Sequence, residues 1–213
     1  DAISDLPCFK ILKKDIKGNG KNWSHSPFKT DYLNHIPRYH NKRDISIFKE
    51  LADKTGIAVA NNALGISEGR RGNFTEAIQH FETALKIYNE TNDTPGIVNT
   101  YLKIGTANEF SNNLDEALAY YNKALKIGGK NLVKKTAAFI YNNIGVVYAR
   151  KNQLDTAELY VQKSLDECTA SNMETARITA LTNMGNIAGN KGNTPLAMQF
   201  FSEGIEIAKK GKL

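Results

Sequence analysis

Four glycines set the frame of this chain. Gly65, Gly105, Gly145 and Gly185 lie 40 residues apart, and each closes a similar run: Ala63-Leu64-Gly65, Lys103-Ile104-Gly105, Asn143-Ile144-Gly145 and Asn183-Met184-Gly185. The register holds through every unit. An alanine stands 12 residues after each glycine (Ala77, Ala117, Ala157, Ala197), a larger apolar residue 16 after it (Phe81, Tyr121, Val161, Phe201) and a small residue 19 after it (Ala84, Ala124, Ser164, Gly204). A fixed period of this size means stacked copies of one helical unit. Small residues at fixed places let two antiparallel helices approach closely, while the larger ones fill the grooves between them. One such hairpin cannot bury its own apolar faces, so consecutive hairpins must seal one another.

Local signals agree with helix, tight turn, helix, longer turn. The second helix of each unit opens on a candidate cap. Asn73 with Glu76 and Asn113 with Glu116 read as capping boxes, and Gln153 and Asn193 hold the same register. Thr94-Pro95 and Thr194-Pro195 offer further caps with proline in the first turn. Four repeats are expected at about 57–96, 97–136, 137–176 and 177–213. Residues 43–56 read as the second helix of a degenerate or capping repeat, because Ile47-Phe48 and Gly56-Ile57 sit 40 residues before Ile87-Tyr88 and Gly96-Ile97. Residues 1–42 fit no repeat and form an irregular basic leader.

Composition narrows the function classes. With 41% apolar and 23% charged residues the chain is an ordinary globular one. No run nears the roughly 18 apolar residues of a membrane-spanning helix. Cys8 and Cys168 make neither a disulfide framework nor a metal pair. A reducing, cytoplasmic setting is therefore expected. The start at Asp1, with no charged-then-apolar leader, reads as a fragment of a longer chain. The net charge of +6 is concentrated in the first 50 residues, where ten Lys/Arg face six Asp/Glu; the other 163 residues hold eighteen against sixteen. Trp23, Phe28, Tyr32 and Tyr39 interleave with those charges, a pattern that can touch nucleic acid or anionic lipid. A solvated or self-packed leader is the simpler reading, and nucleic acid is not an expected partner.

Apparent catalytic signals dissolve on inspection. Gly65-Ile66-Ser67-Glu68-Gly69 has the letters of a nucleophile elbow, which needs a strand before its serine, whereas Gly65 is the repeat glycine within a helix. His25, His35, His40 and His80 offer no HExxH motif and no i, i+4 pair for a metal. Asp15 to Gly20 begins like a calcium loop, but Lys17 occupies a ligand position and Ser26 stands where a bidentate Glu is required. No catalytic residue, metal or cofactor is expected, and the chain reads as not an enzyme.

The glycine, alanine, aromatic, small register resembles the tetratricopeptide repeat, over Ile57 to about Lys210. Armadillo and HEAT repeats share the length but lack this register. The 40-residue period, longer than the family's common 34, looks like the long-repeat branch of kinesin light chains, Pins-type adaptors and Rap-type peptide sensors. The implied fold class is an all-α, right-handed superhelical solenoid of antiparallel helix hairpins. In that family the first helices line a concave groove. Carried onto this chain residue by residue, the groove positions put Asn62, Arg70, Lys103, Asn142, Asn143, Arg150, Asn183 and Asn186 forward as peptide-binding candidates. Leu102, Ile66, Thr106 and Phe110 share the same register. Asparagine both donates and accepts, so it can pair with a peptide backbone without reading side chains. Arginine adds charge-assisted bonds to acidic groups. The lysine and asparagine set of a chaperone-tail carboxylate clamp is missing.

The resemblance implies a non-enzymatic scaffold that binds a segment of a protein partner, with an acidic segment as candidate ligand. Two alternatives are a ligand-sensing segment of a larger signalling protein and a structural subunit of a large assembly. The second helix of the fourth unit is followed by no polar cap, so self-association or further repeats are expected at that end.

Overall fold

The computed structural model describes residues 53–211. The leader 1–42, with its calcium-loop letters, Cys8 and three histidines, and the early register at 43–52 lie outside the described residues. Those that are described form eight α-helices and no strand: α1 (Lys54–Arg70), α2 (Phe74–Glu90), α3 (Thr94–Phe110), α4 (Leu114–Gly128), α5 (Lys134–Arg150), α6 (Leu154–Ala170), α7 (Glu174–Asn190) and α8 (Thr194–Gly211). They pair as four antiparallel hairpins, giving the expected all-α solenoid.

The glycine register explains the pairing. A Cβ built on Gly65 would lie 2.5 Å from Cε1 of Phe81, one on Gly105 would lie 2.5 Å from Cε1 of Tyr121, and Gly145 and Gly185 meet Val161 and Phe201 in the same way. Each glycine thus seats the apolar residue 16 positions later. The core, however, is built between hairpins. Phe81 of α2 clusters with Ile104 and Ala107 of α3. Val98, Tyr121, Ile140, Ile144 and Val147 join α3 and α4 to α5. Val161 of α6 meets Met184 and Ile187 of α7. Successive first helices also touch one another, which successive second helices do not, so the first helices line the inner, concave side.

Six of the seven interhelix turns are one device. Residues 72, 92, 112, 152, 172 and 192 take positive φ, as Gly72, Asn92, Asn112, Asn152, Asn172 and Gly192. Glycine and asparagine are the residues that visit this region at least cost. The next backbone N–H then reaches back five residues, as from Asn73 to Glu68 O (3.0 Å) and from Asp93 to Tyr88 O (2.9 Å), which closes the preceding helix. That same residue opens the following helix.

The caps match the sequence reading only in part: Asn193 caps α8, its Oδ1 accepting from Leu196 N at 3.2 Å, whereas Gln153 makes no side-chain cap. Asn73 and Asn113 make no side-chain cap. The Asn73 side chain is instead turned to Glu68, its Nδ2 donating to Oε2 at 2.8 Å, and its Oδ1 accepts no N–H of the helix end. Asp53 and Asp93 are the caps of α1 and α3, accepting from Gly56 N (2.8 Å) and Gly96 N (3.0 Å). Thr94 is consequently the first helical residue.

The exception is the α4–α5 joint. Helix α4 stops early at Gly128, a 3-10 turn spans Gly129–Asn131, and Leu132 folds under Gly128, where a Cβ would meet its Cδ1 at 2.6 Å. This is the least contacted of the hairpin-to-hairpin joints.

Candidate functional site

The concave side carries a cleft of about 620 Å³. Helix α1 contributes Ile66 and Arg70, α3 contributes Leu102, Lys103, Thr106 and Phe110, α5 contributes Phe139 and Asn143, and Phe74 and Phe81 of α2 close one wall. The lining is chiefly aromatic and aliphatic. Phe110 is 66% exposed and Phe139 40% exposed, a high value for large apolar residues. Phe74 stacks on Phe110 with ring centroids 5.9 Å apart, which fixes the rim.

Of the eight residues picked from the sequence, three meet in this cleft: Arg70, Lys103 and Asn143. Lys103 is half-buried in the middle of α3, and burial lowers its pKa below the ordinary lysine range. Arg70 is exposed at the rim. Next to the cleft, Asn183 Nδ2 donates to Asn142 Oδ1 at 2.8 Å and Asn142 Nδ2 donates to Asn143 Oδ1 at 3.4 Å, forming a chain of amides from α7 to α5. Asn186 is exposed on α7 and outside the cleft.

The remaining two have structural duties. Asn62 is buried, its Nδ2 donating to Tyr88 Oη at 3.3 Å and to Thr100 Oγ1 at 3.4 Å, and so joins α1, α2 and α3. Arg150 donates from Nη1 to the Glu109 carbonyl (2.6 Å) and from Nη2 to Asn112 Oδ1 (2.9 Å), covering the C-terminal end of α3 from the next hairpin. A cation there complements the helix dipole. Phe139 and Phe74 escaped the sequence reading. Phe139 lies one turn before Asn143, on the same face, and that spacing was the available signal.

Behind the cleft, Glu109 accepts a hydrogen bond from the Tyr121 hydroxyl at 2.9 Å. Burial raises the Glu109 pKa, against the opposing effects of Tyr121 and Arg150. Burial also pushes the Tyr121 hydroxyl far up, so it stays a donor. A carboxyl whose folded pKa is raised binds its proton more tightly when folded, so stability falls as pH rises from the ordinary Glu range through the raised value. Glu109→Gln cannot ionise. Its stability relative to the wild type, from urea melts at stepped pH, is expected to increase across that window; a difference constant with pH would contradict this.

Two family models described as tetratricopeptide repeat match residues 56–128 and 140–168. These segments are tetratricopeptide repeats. Solved structures share the fold of this tetratricopeptide array. RapI in its apo form aligns at TM-score 0.71 and 19% identity, over 78% of this chain and 61% of RapI. BtubC from P. vanneervenii aligns at 0.70 and 19%, over 79% of this chain and 70% of BtubC. The Rap conjugation gene regulator of plasmid pLS20, in complex with its Phr peptide, aligns at 0.68 and 20%, over 79% of this chain and 48% of the regulator. The chain therefore spans less than two thirds of either Rap protein. No curated protein matches it by sequence. Among the described residues no helix is long and apolar enough to cross a membrane.

Proposed function

We propose that the chain is a non-enzymatic protein-interaction module whose concave cleft binds an extended peptide segment of a partner protein. The observation that carries this reading is the exposure of Phe110 and Phe139 on a cleft wide enough for side chains of a second chain. Large exposed apolar surfaces in a concave site mark binding surfaces. The amides of Asn142, Asn143 and Asn183 continue the cleft and supply donors and acceptors for peptide backbone, with Asn186 further along α7 and Arg70 at the rim. A cytoplasmic setting belongs with this reading. Helix α8, whose Met198 and Ile205 are 64% and 54% exposed, is the surface for self-association or further repeats.

The test is selection of end-blocked peptides from a random library, followed by calorimetry on variants. Phe110→Ser and Phe139→Ser should each weaken selected peptides by at least tenfold, as expected for a lost apolar contact of roughly 1.5–3 kcal/mol, with helicity unchanged by circular dichroism. Peptides that bind equally well to both variants, or a library that yields none, would refute the assignment. The Rap-like fold favours one variation, a ligand-sensing segment of a larger signalling protein. In that case bound peptide should also change the radius of gyration in solution scattering.

A further inference from the structure

Two cations and no acid line the cleft. Arg70 comes from α1 and Lys103 from α3, while α2 offers only Phe74 and Phe81 and α5 only Phe139 and Asn143. The single acid of α1, Glu68, is taken by Arg71 and Asn73. The single acid of α3, Glu109, is held by Tyr121 and Arg150. Among the described residues, no hydrogen bond or ion pair satisfies the Lys103 ammonium. A half-buried cation without a counter-charge is disfavoured, which is why its pKa falls. An anion delivered to it against the apolar lining of the cleft would gain a charge-assisted bond.

We propose that the cleft selects peptide segments in which an acidic side chain stands beside a bulky apolar one, the apolar side chain lying against Phe110 and Phe139 and the carboxylate pairing with the Lys103 ammonium. This rests on the peptide-binding reading above and names the ligand class for it. Arg70, exposed, assists at the rim; Lys103 is the selective group because it is the more buried of the two cations. Arg150, committed to the end of α3, takes no part.

Two consequences have opposite signs. Only the ammonium form pairs with the carboxylate, so affinity falls as pH rises through the lowered lysine pKa, earlier than an ordinary lysine would allow. In the free protein the same charge opposes folding, since a base with a lowered folded pKa binds its proton more weakly when folded. Lys103→Met should therefore raise the thermal midpoint while removing the preference for acid. A purely structural lysine would not give this split.

The probes are end-blocked decapeptides with Glu beside Phe or Leu, each with a Gln twin, and a third set in which the only carboxylate is a free C-terminus. The Glu peptides are expected to bind about tenfold tighter than their Gln twins near neutral pH, the value of one charge-assisted hydrogen bond. Lys103→Met should erase that ratio, and Lys103→Arg should keep it and make it independent of pH. If peptides bind in a Phe110-dependent way with equal affinity for Glu and Gln, the charge assignment falls while the peptide-binding reading stands. If the terminal-carboxylate set alone shows the preference, a chain end is the ligand and the proposed side-chain class is wrong. If no peptide binds, both readings fall.

Discussion

Replacing Gly105 with valine should cost about 3 kcal/mol, the upper part of the range for overpacking a rigid core, and should do so without touching any surface. The Cβ alone would sit 2.5 Å from Cε1 and 2.6 Å from Cδ1 of Tyr121. Tyr121 has no room to retreat, being fully buried and hydrogen-bonded through its hydroxyl to Glu109. Shrinking the partner should give little rescue. At the equivalent place in the third hairpin the partner is already a valine, and a Cβ on Gly145 would still overlap Val161 and crowd its backbone N at 3.2 Å. The closeness is therefore one of backbones. Gly69→Ala is the control, since its Cβ would meet the Ala77 methyl at 3.8 Å, ordinary contact. Exchanging glycine for alanine within a helix should there add up to about 1 kcal/mol. Urea denaturation of the two variants should move in opposite directions. Equal midpoints would mean that the glycine register is not a packing constraint.

That register is why the fold was legible. Packing between close helices leaves a mark at every recurrence, and four recurrences of glycine, alanine, large apolar and small residue leave few alternatives to stacked hairpins. Caps were less legible, because a cap is a contest between nearby acceptors and donors. Asn73 stands at a helix start in both sequence and structure, yet its side chain is turned to Glu68, five residues earlier. The Asn and Gly residues at 72, 92, 112, 152, 172 and 192 carried a 20-residue turn signal that helix reading passes over. Its failure at Leu132 marks the irregular joint.

The site was legible only in part, for a different reason. Register says which face of a helix a residue occupies, and it brought Arg70, Lys103 and Asn143 to the same cleft. It does not say whether a neighbour has already claimed the side chain. Asn62 is bonded to Tyr88 and Thr100, and Arg150 to Glu109 and Asn112, through contacts 26 to 41 residues apart in sequence. Phe139 entered unannounced because its exposure depends on how α5 sits against α3, across the joint whose turn the repeat pattern does not describe.

Ile144→Ala should expose the weakness of that joint. Ile144 is 1% exposed and Ile104 is fully buried, so truncating either to alanine should cost about 3 kcal/mol. In a solenoid, though, what matters is which interface loses the energy. Ile104 packs between the first and second hairpins, whose turn is closed by Asn92 and capped by Asp93. Ile144 packs between the second and third, where α4 ends early and no such turn or cap exists. Ile104→Ala is therefore expected to keep a single unfolding transition at lower denaturant. Ile144→Ala should split it, with amides of α1 to α4 and of α5 to α8 losing protection from hydrogen exchange at different urea concentrations. A single transition in both variants would show that the irregular joint couples its neighbours as firmly as the regular ones. The cleft draws Phe139 and Asn143 from α5 and the rest of its lining from α1 to α3 and the turn before α2, so it straddles this joint. A peptide seated there would bridge the two halves, and adding one to Ile144→Ala should draw the two transitions back together.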